Sequence, residues 1–282
     1  MIGDEKSYVE DIVEKPKKQS PRTIIGILIT LILGLLKFSK LAVIAKFLLT
    51  LLKASKFAGT FLSMGLTIIL YAQIYGWLFA IGFVGVIFVH EMGHYVTSTK
   101  IGLDVSAPTF IPFLGAFIRM KSIPKSVREE AIVAIGGPAA GAFITLVCIG
   151  LYSITGTPFW AGLAYISALI NVFNLLPFGF LDGGRISKAI SPFIWIIGLI
   201  LAIILIWKLH AYILLLIVFF GILEIISMYR NKAQTALYLS VEPIFRFQIG
   251  VSYLFLLVLL VGLMMYSLDI STAFTDSLRD MR

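Results

Sequence analysis

Long apolar stretches, separated by short basic or turn-rich links, set the rhythm of this chain. They fall near residues 57–75, 77–99, 132–153, 158–178, 193–207, 211–228 and 251–267. Most are close to the roughly 20 residues that a helix needs to cross a bilayer, the fifth and the last being short. The pattern predicts an all-α polytopic membrane protein with about seven transmembrane helices. Residues 1–22 are polar and of mixed charge, and they read as a cytoplasmic tail without the apolar core of a cleavable signal. Within 23–56, Lys46, Thr50, Lys53 and Lys56 gather on one side of a helix whose other side is Leu, Ile and Phe. That pattern predicts an interfacial or re-entrant amphipathic region. Residues 57–190 then read as a core, and 191–282 as additional transmembrane helices and a C-terminal tail.

The period changes once. Between Ala116 and Ile123, Ile118 and Met120 point one way while Arg119 and Lys121 point the other, with Gly115 and flanking prolines as bounds. A repeat of two predicts a strand. In membrane surroundings a strand edge is tolerated only against protein or a watery cavity, and such an edge can capture an extended peptide by strand addition. Gly115, Ala116, Phe117, Ile118, Arg119 and Met120 are therefore candidate substrate contacts. A simple interfacial loop is the alternative.

Composition agrees with the pattern: 59% of the 282 residues are apolar and 13% charged, with a mean hydropathy of +1.00. These values point to the lipid bilayer as the surroundings. The net charge of +8 then reads as cytoplasmic flanks facing anionic headgroups and not as a nucleic-acid surface. Lysines and arginines cluster before 57, between 100 and 128, at 185–188 and at 230–232. Alternating spans bring all of these to one side, which the positive-inside rule makes cytoplasmic, in an integral, multi-pass protein of the cell membrane. The lone Cys148 implies no disulfide framework.

Chemistry enters at FVHEMGHYVTSTK, residues 88–100. Between Phe57 and Thr99 the sole carboxylate or ammonium group is Glu91, and an ionisable residue within a span is a functional candidate by default. His90 and His94, four apart, share a helix face and can share one metal ion, with Glu91 beside them as a base for water. The alternative is a polar cluster satisfied within a bundle. A zinc site needs a third protein ligand. His210 lies between two predicted spans on the far side, whereas no charge occurs from Ala131 to Leu181 until Asp182 appears. Asp182 shares the depth and side of the histidines, and the Gly183-Gly184 pair allows a tight turn to present it. An ordinary aspartate in a cytoplasmic turn is the competing reading. Asn171 and Asn174 share one face of an apolar helix, either bonding between helices or lying beside a substrate. Gly137 and Gly141 form a close-packing pattern. Glu224, near a span's end, can snorkel or pair.

The set His90-Glu91-Met92-Gly93-His94, Asn174-Leu175-Leu176-Pro177 and Leu181-Asp182-Gly183-Gly184 resembles the site-2 protease family of intramembrane zinc metalloproteases. The resemblance covers about 77–190. It implies one Zn2+ held by His90, His94 and Asp182, with Glu91 as general base and Asn174, at the NxxP position, as a substrate contact. It further implies a small membrane-associated β-hairpin between the catalytic helices, and a protease core at 57–190. The substrate expected is the transmembrane segment of another membrane protein, cut in regulated intramembrane proteolysis at a site opening toward the cytoplasm. A member without a PDZ-like or C-terminal regulatory domain is expected. A metal transporter and an inactive membrane-protein binder of the same fold are the competing classes; the oligomeric state is not legible.

Overall fold

A computed structural model describes residues 57–280 apart from 211–212, and side chains at 209, 213, 216 and 273–280 are likewise outside the description. The expected tail 1–22 and the amphipathic region 23–56 lie outside the described residues. The elements run α1 (Ala58–Tyr75), α2 (Trp77–Lys100), β1 (Thr109–Ile111), β2 (Gly115–Phe117), α3 (Val127–Thr155), α4 (Pro158–Asn174) and α5 (Asp182–Ile190). They continue with α6 (Ile194–Leu209), α7 (Ile213–Arg230), α8 (Lys232–Tyr238) and α9 (Pro243–Asp280). The described residues are thus mostly helical, with one two-stranded antiparallel hairpin among them.

The described part of each of the seven apolar segments lies mostly in a helix, but among the described residues four helices have both the length and the apolarity to cross a membrane. These are α1, α2, α3 and the Pro243–Thr272 part of α9. With 17 residues in α4 and 16 in α6, those two helices reach only about 25 Å at 1.5 Å per residue, short of a ~30 Å hydrocarbon core. Four such helices in a chain this apolar make an integral membrane protein.

Helix ends follow local chemistry. Ser126 caps α3 by accepting from the Glu129 backbone N–H, and the Glu129 carboxylate accepts from the Lys125 N–H at 2.8 Å. This pair saturates donors that the first turn leaves open. At the other end Gly156 takes φ +62°, the left-handed residue that closes a helix. α4 stops just before Pro177, and residues 175–181 form an irregular link with Gly179 at φ +63°.

The hairpin is held by α1. Thr60 donates to the Pro108 carbonyl, and Ser63 and Tyr71 hydroxyls accept from the Phe110 and Phe113 N–H groups at 3.1 and 3.0 Å. β1 pairs with β2 in the register Thr109↔Phe117, Phe110↔Ala116, Ile111↔Gly115. The regular strand is shorter than the alternation over 116–123 predicts. Beyond Ile118 the chain crosses to Asp104–Ser106, with Arg119 O accepting from Ser106 N–H and Met120 bridging Val105. The alternating pattern is real, but its second half belongs to a separate pairing. α1 lies against β1 and α2 against β2, and among the described residues no third strand pairs with either outer edge.

Two buried clusters hold the site. One joins Val127, Ala131 and Ala134 of α3 to Ile186 and Ala189 of α5 and Phe245, Ile249, Leu256 and Leu260 of α9. The other seats Phe178 and Leu181 against Trp195, Leu214 and Ile217 of α6 and α7. The irregular link and α5 are thus wedged between the N-terminal helices and the C-terminal ones.

Candidate metal centre

His90 and His94 project from one face of α2 toward α3. Their approach needs a trough in α3, which its glycines provide. A Cβ on Gly137 would strike the Nε2 atoms of both histidines, and one on Gly141 would strike the amide of Asn171. Gly93 of α2 lies against the Gly136 carbonyl, and Gly136 in turn leaves room for Thr97. The Gly137-x-x-x-Gly141 pattern therefore does more than bring helices close: it clears the space that the imidazoles and an amide fill.

Asp182 arrives from the first turn of α5. Gly183 and Gly184 are not the turn that the sequence suggests; they are helical residues of α5. A Cβ on Gly183 would collide with the Leu175 carbonyl and one on Gly184 with that of Gly179. Their lack of bulk, and not their flexibility, lets α5 start against the link. The turn itself is made by Gly179 at positive φ.

Three atoms meet as a result. His90 Nε2 lies 3.0 Å from His94 Nε2, and Asp182 Oδ2 lies 3.3 and 3.2 Å from the two nitrogens. Tetrahedral ligands at about 2.0–2.1 Å from zinc stand about 3.3 Å apart, so the triangle has the edges of such a site with its fourth position open. All three residues are buried, as is Glu91, whose carboxylate lies within 4.8 Å of the histidine nitrogens. The donor set of two imidazoles and a carboxylate suits zinc. Each ring's other nitrogen has a partner: His90 Nδ1–H donates to Asn171 Oδ1 at 2.8 Å and His94 Nδ1–H to the Val133 carbonyl at 2.9 Å. Those bonds leave both Nε2 lone pairs free for a metal. Burial alone would raise the Asp182 carboxyl, but the His94 and His90 imidazoles beside it outweigh burial and hold it below the usual carboxylate range.

A cavity of about 710 Å³ opens on this triangle. Among the expected substrate contacts, Ala116, Phe117, Ile118, Met120 and Asn174 line it, whereas Asn171, Gly115 and Arg119 do not. Asn171 is buried behind His90, and Arg119 is turned into the pairing with Ser106. Phe173, Phe180, Arg185 and Ile217 complete the walls and were not legible as site residues. His210 ends α6 in the left-handed conformation, in a different region from the triangle's elements.

Behind α5 lies a partly buried ionic knot. Lys188 Nζ reaches Glu130 Oε1 of α3 at 3.0 Å and Glu224 Oε1 of α7 at 2.9 Å. The Tyr238 hydroxyl donates to Glu130 Oε2 at 2.8 Å. Burial first, then the Glu130 carboxylate, pushes that phenol up, so it stays protonated and able to donate. Glu224 is thus paired, one of the two outcomes open to a carboxylate near a span's end.

Comparison with known proteins gives likenesses in sequence and in structure. Residues 78–157 and 151–195 match the profile of peptidase family M50. A zinc metalloprotease of Methanocaldococcus jannaschii is 31% identical over 132 residues, covering 45% of this chain and 38% of that protein. A probable chloroplastic zinc metalloprotease of Arabidopsis thaliana is 28% identical over 146 residues, 36% of this chain and 26% of its own length. The chain therefore spans less than half the length of these two relatives. Among solved structures, the site-2 protease from Methanocaldococcus jannaschii is 28% identical, with a TM-score of 0.41, over 57% of this chain and 85% of that one.

Proposed function

This chain carries in residues 78–195 the sequence of peptidase family M50, and from that premise we propose that it is an intramembrane zinc metalloprotease cleaving transmembrane segments of membrane proteins. The observation that carries the reading is the His90–His94–Asp182 triangle, assembled from helices about 90 residues apart with edges of 3.0–3.3 Å. His90, His94 and Asp182 hold one zinc ion. That ion, when bound, supplies Lewis acidity that favours hydroxide from water and polarises a carbonyl.

The chain's own groups do the rest. Glu91, adjacent to the ligands and facing the same cavity, takes a proton from the attacking water on its carboxylate and returns it to the departing amine nitrogen. The peptide must be extended first, because within a helix its carbonyls are occupied. β2 at Ala116–Phe117, continuing to Ile118 and Met120, lines the cavity and holds that extended segment by strand addition, while Asn174 offers its amide to the substrate backbone. Leu114, Phe173, Phe180 and Ile217 give the cavity walls an apolar surface suited to membrane-derived side chains.

In the same reading, residues 57–190 form the protease core and α4, α6 and α7 complete about seven crossings by local thinning of the bilayer. Basic links put the centre's opening on the cytoplasmic side of the cell membrane. Such a site serves regulated intramembrane proteolysis.

Glu91→Gln separates this reading from its rivals. The variant should bind zinc as the parent does, while cleavage of a co-expressed membrane substrate falls by at least about a hundredfold, the scale of general-base catalysis. Undiminished cleavage by that variant defeats the protease reading. A metal transporter needs no base beside its ligands, and an inactive binder shows no cleavage with either residue.

A further inference from the structure

We propose that Asn171 is the positioning residue of this centre, fixing the tautomer and the aim of His90; the proposal rests on the reading of His90, His94 and Asp182 as ligands of one metal. Asn171 is 2% exposed and is not among the residues that line the cavity at the triangle, so its place is behind His90 and away from that cavity. Its Nδ2 donates to the Ser167 carbonyl at 2.7 Å, one helical turn earlier. That bond determines which way the amide faces, since only the amide nitrogen can donate to a carbonyl. Oδ1 is therefore turned to His90 Nδ1, 2.8 Å away.

An amide oxygen accepts and cannot donate. His90 must then carry its proton on Nδ1, which leaves the Nε2 lone pair directed at His94 and Asp182. The slot around the amide is built for it. Gly141 has no Cβ where one would strike Oδ1, Cγ and Nδ2. Thr145 Oγ1 sits 2.8 Å from the Gly141 carbonyl and 2.9 Å from Ser167 Oγ, tying α3 to α4 at the level of the amide.

An amide, where a carboxylate would also accept, has a physical rationale. Asp182 and Glu91 already bring two buried carboxylates to the centre. A third would add a charge to a region that water cannot reach, at the usual cost of an incompletely paired buried ion. Asn171 fixes the ring without that cost.

The test uses the full-length chain in detergent or nanodiscs, stripped of metal and titrated with zinc against a chromophoric chelator. Asn171→Leu should bind about 10–100-fold more weakly than the parent, the range seen when an outer partner of a metal-bound histidine is lost. Asn171→Asp keeps the acceptor and should bind at least as tightly as the parent. Cobalt(II) loaded into Asn171→Ala should show displaced visible absorption bands, which altered packing alone does not produce. Gly141→Ala should weaken binding in the parent and have little further effect on Asn171→Ala, because the truncated side chain vacates the space. Apo-protein melting curves establish that each variant folds, and Asn171→Ala carries the test where the leucine variant does not. Parent-like affinity and cobalt bands in the folded Asn171→Ala or Asn171→Leu proteins overturn the positioning role while leaving the metal centre intact. Absence of zinc binding by the parent itself overturns both.

Discussion

Gly137 shows how much of a site rests on an atom that is not there. A methyl group added at this position meets both imidazoles, and α3 could draw back only by giving up the close packing of Gly93 against the Gly136 carbonyl. Gly137→Ala is accordingly expected to lower zinc affinity by more than about tenfold, through displaced ligands, as read by metal analysis of purified protein. Retention of full zinc content would show that the helices give way at little cost. The proposed ligands and base are legible in sequence because an ionisable side chain in an apolar run is costly and persists where function requires it. His90, Glu91 and His94 stand out by rarity, and Asp182 by being the first charge after fifty residues without one. The trough is not legible in that way. Gly-x-x-x-Gly reads as helix packing in any membrane protein, and only the folded chain reveals that imidazoles and an amide occupy the space. Val133 contributes a backbone carbonyl, which no side-chain pattern can announce.

Among the elements, α5 is the short amphipathic helix that bears Asp182, and its position depends on bonds to elements on every side. Trp195 Nε1–H donates to the Gly184 carbonyl at 2.9 Å, and Arg246 of α9 donates to the Ile190 carbonyl at 3.1 Å. Tyr253 of α9 donates to the Leu175 carbonyl at 2.6 Å, satisfying an acceptor that the end of α4 exposes. Lys188 adds the knot with Glu130 and Glu224. Removing its ammonium leaves two carboxylates facing one another in partial burial. Lys188→Met should destabilise the fold by about 3 kcal/mol, and Glu130→Gln with Glu224→Gln in the same chain should restore most of it. Thermal melting of the three proteins checks both halves, and an unshifted midpoint in Lys188→Met refutes the argument. Sequence periodicity found most of the helices, since apolar runs mark them. It described the hairpin region less well, because pairing of 119–121 with 104–106 depends on residues that carry no alternating pattern of their own.

At the scale of the whole molecule, orientation is a measurable property. The 29 residues of α3 extend about 43 Å, enough to cross a bilayer with some tilt, so its two ends should face opposite compartments. Cysteines introduced at Lys121 and at Thr155, in a Cys148→Ser background, should react with an impermeant maleimide from opposite sides of sealed vesicles, Lys121→Cys from the cytoplasmic one. Labelling of both from one side would rule out the crossing. Another boundary is less visible. The stretch recognisable by family resemblance stops at residue 195, yet Tyr253, Arg246 and Glu224, which secure α5 and the link before it, all come later in the chain. The profile match and the mechanical support thus end at different residues. A gene trimmed to the recognisable stretch would keep every group that does chemistry and lose the framework that aims the third one. For this protein the smallest inheritable signature is not the smallest working part.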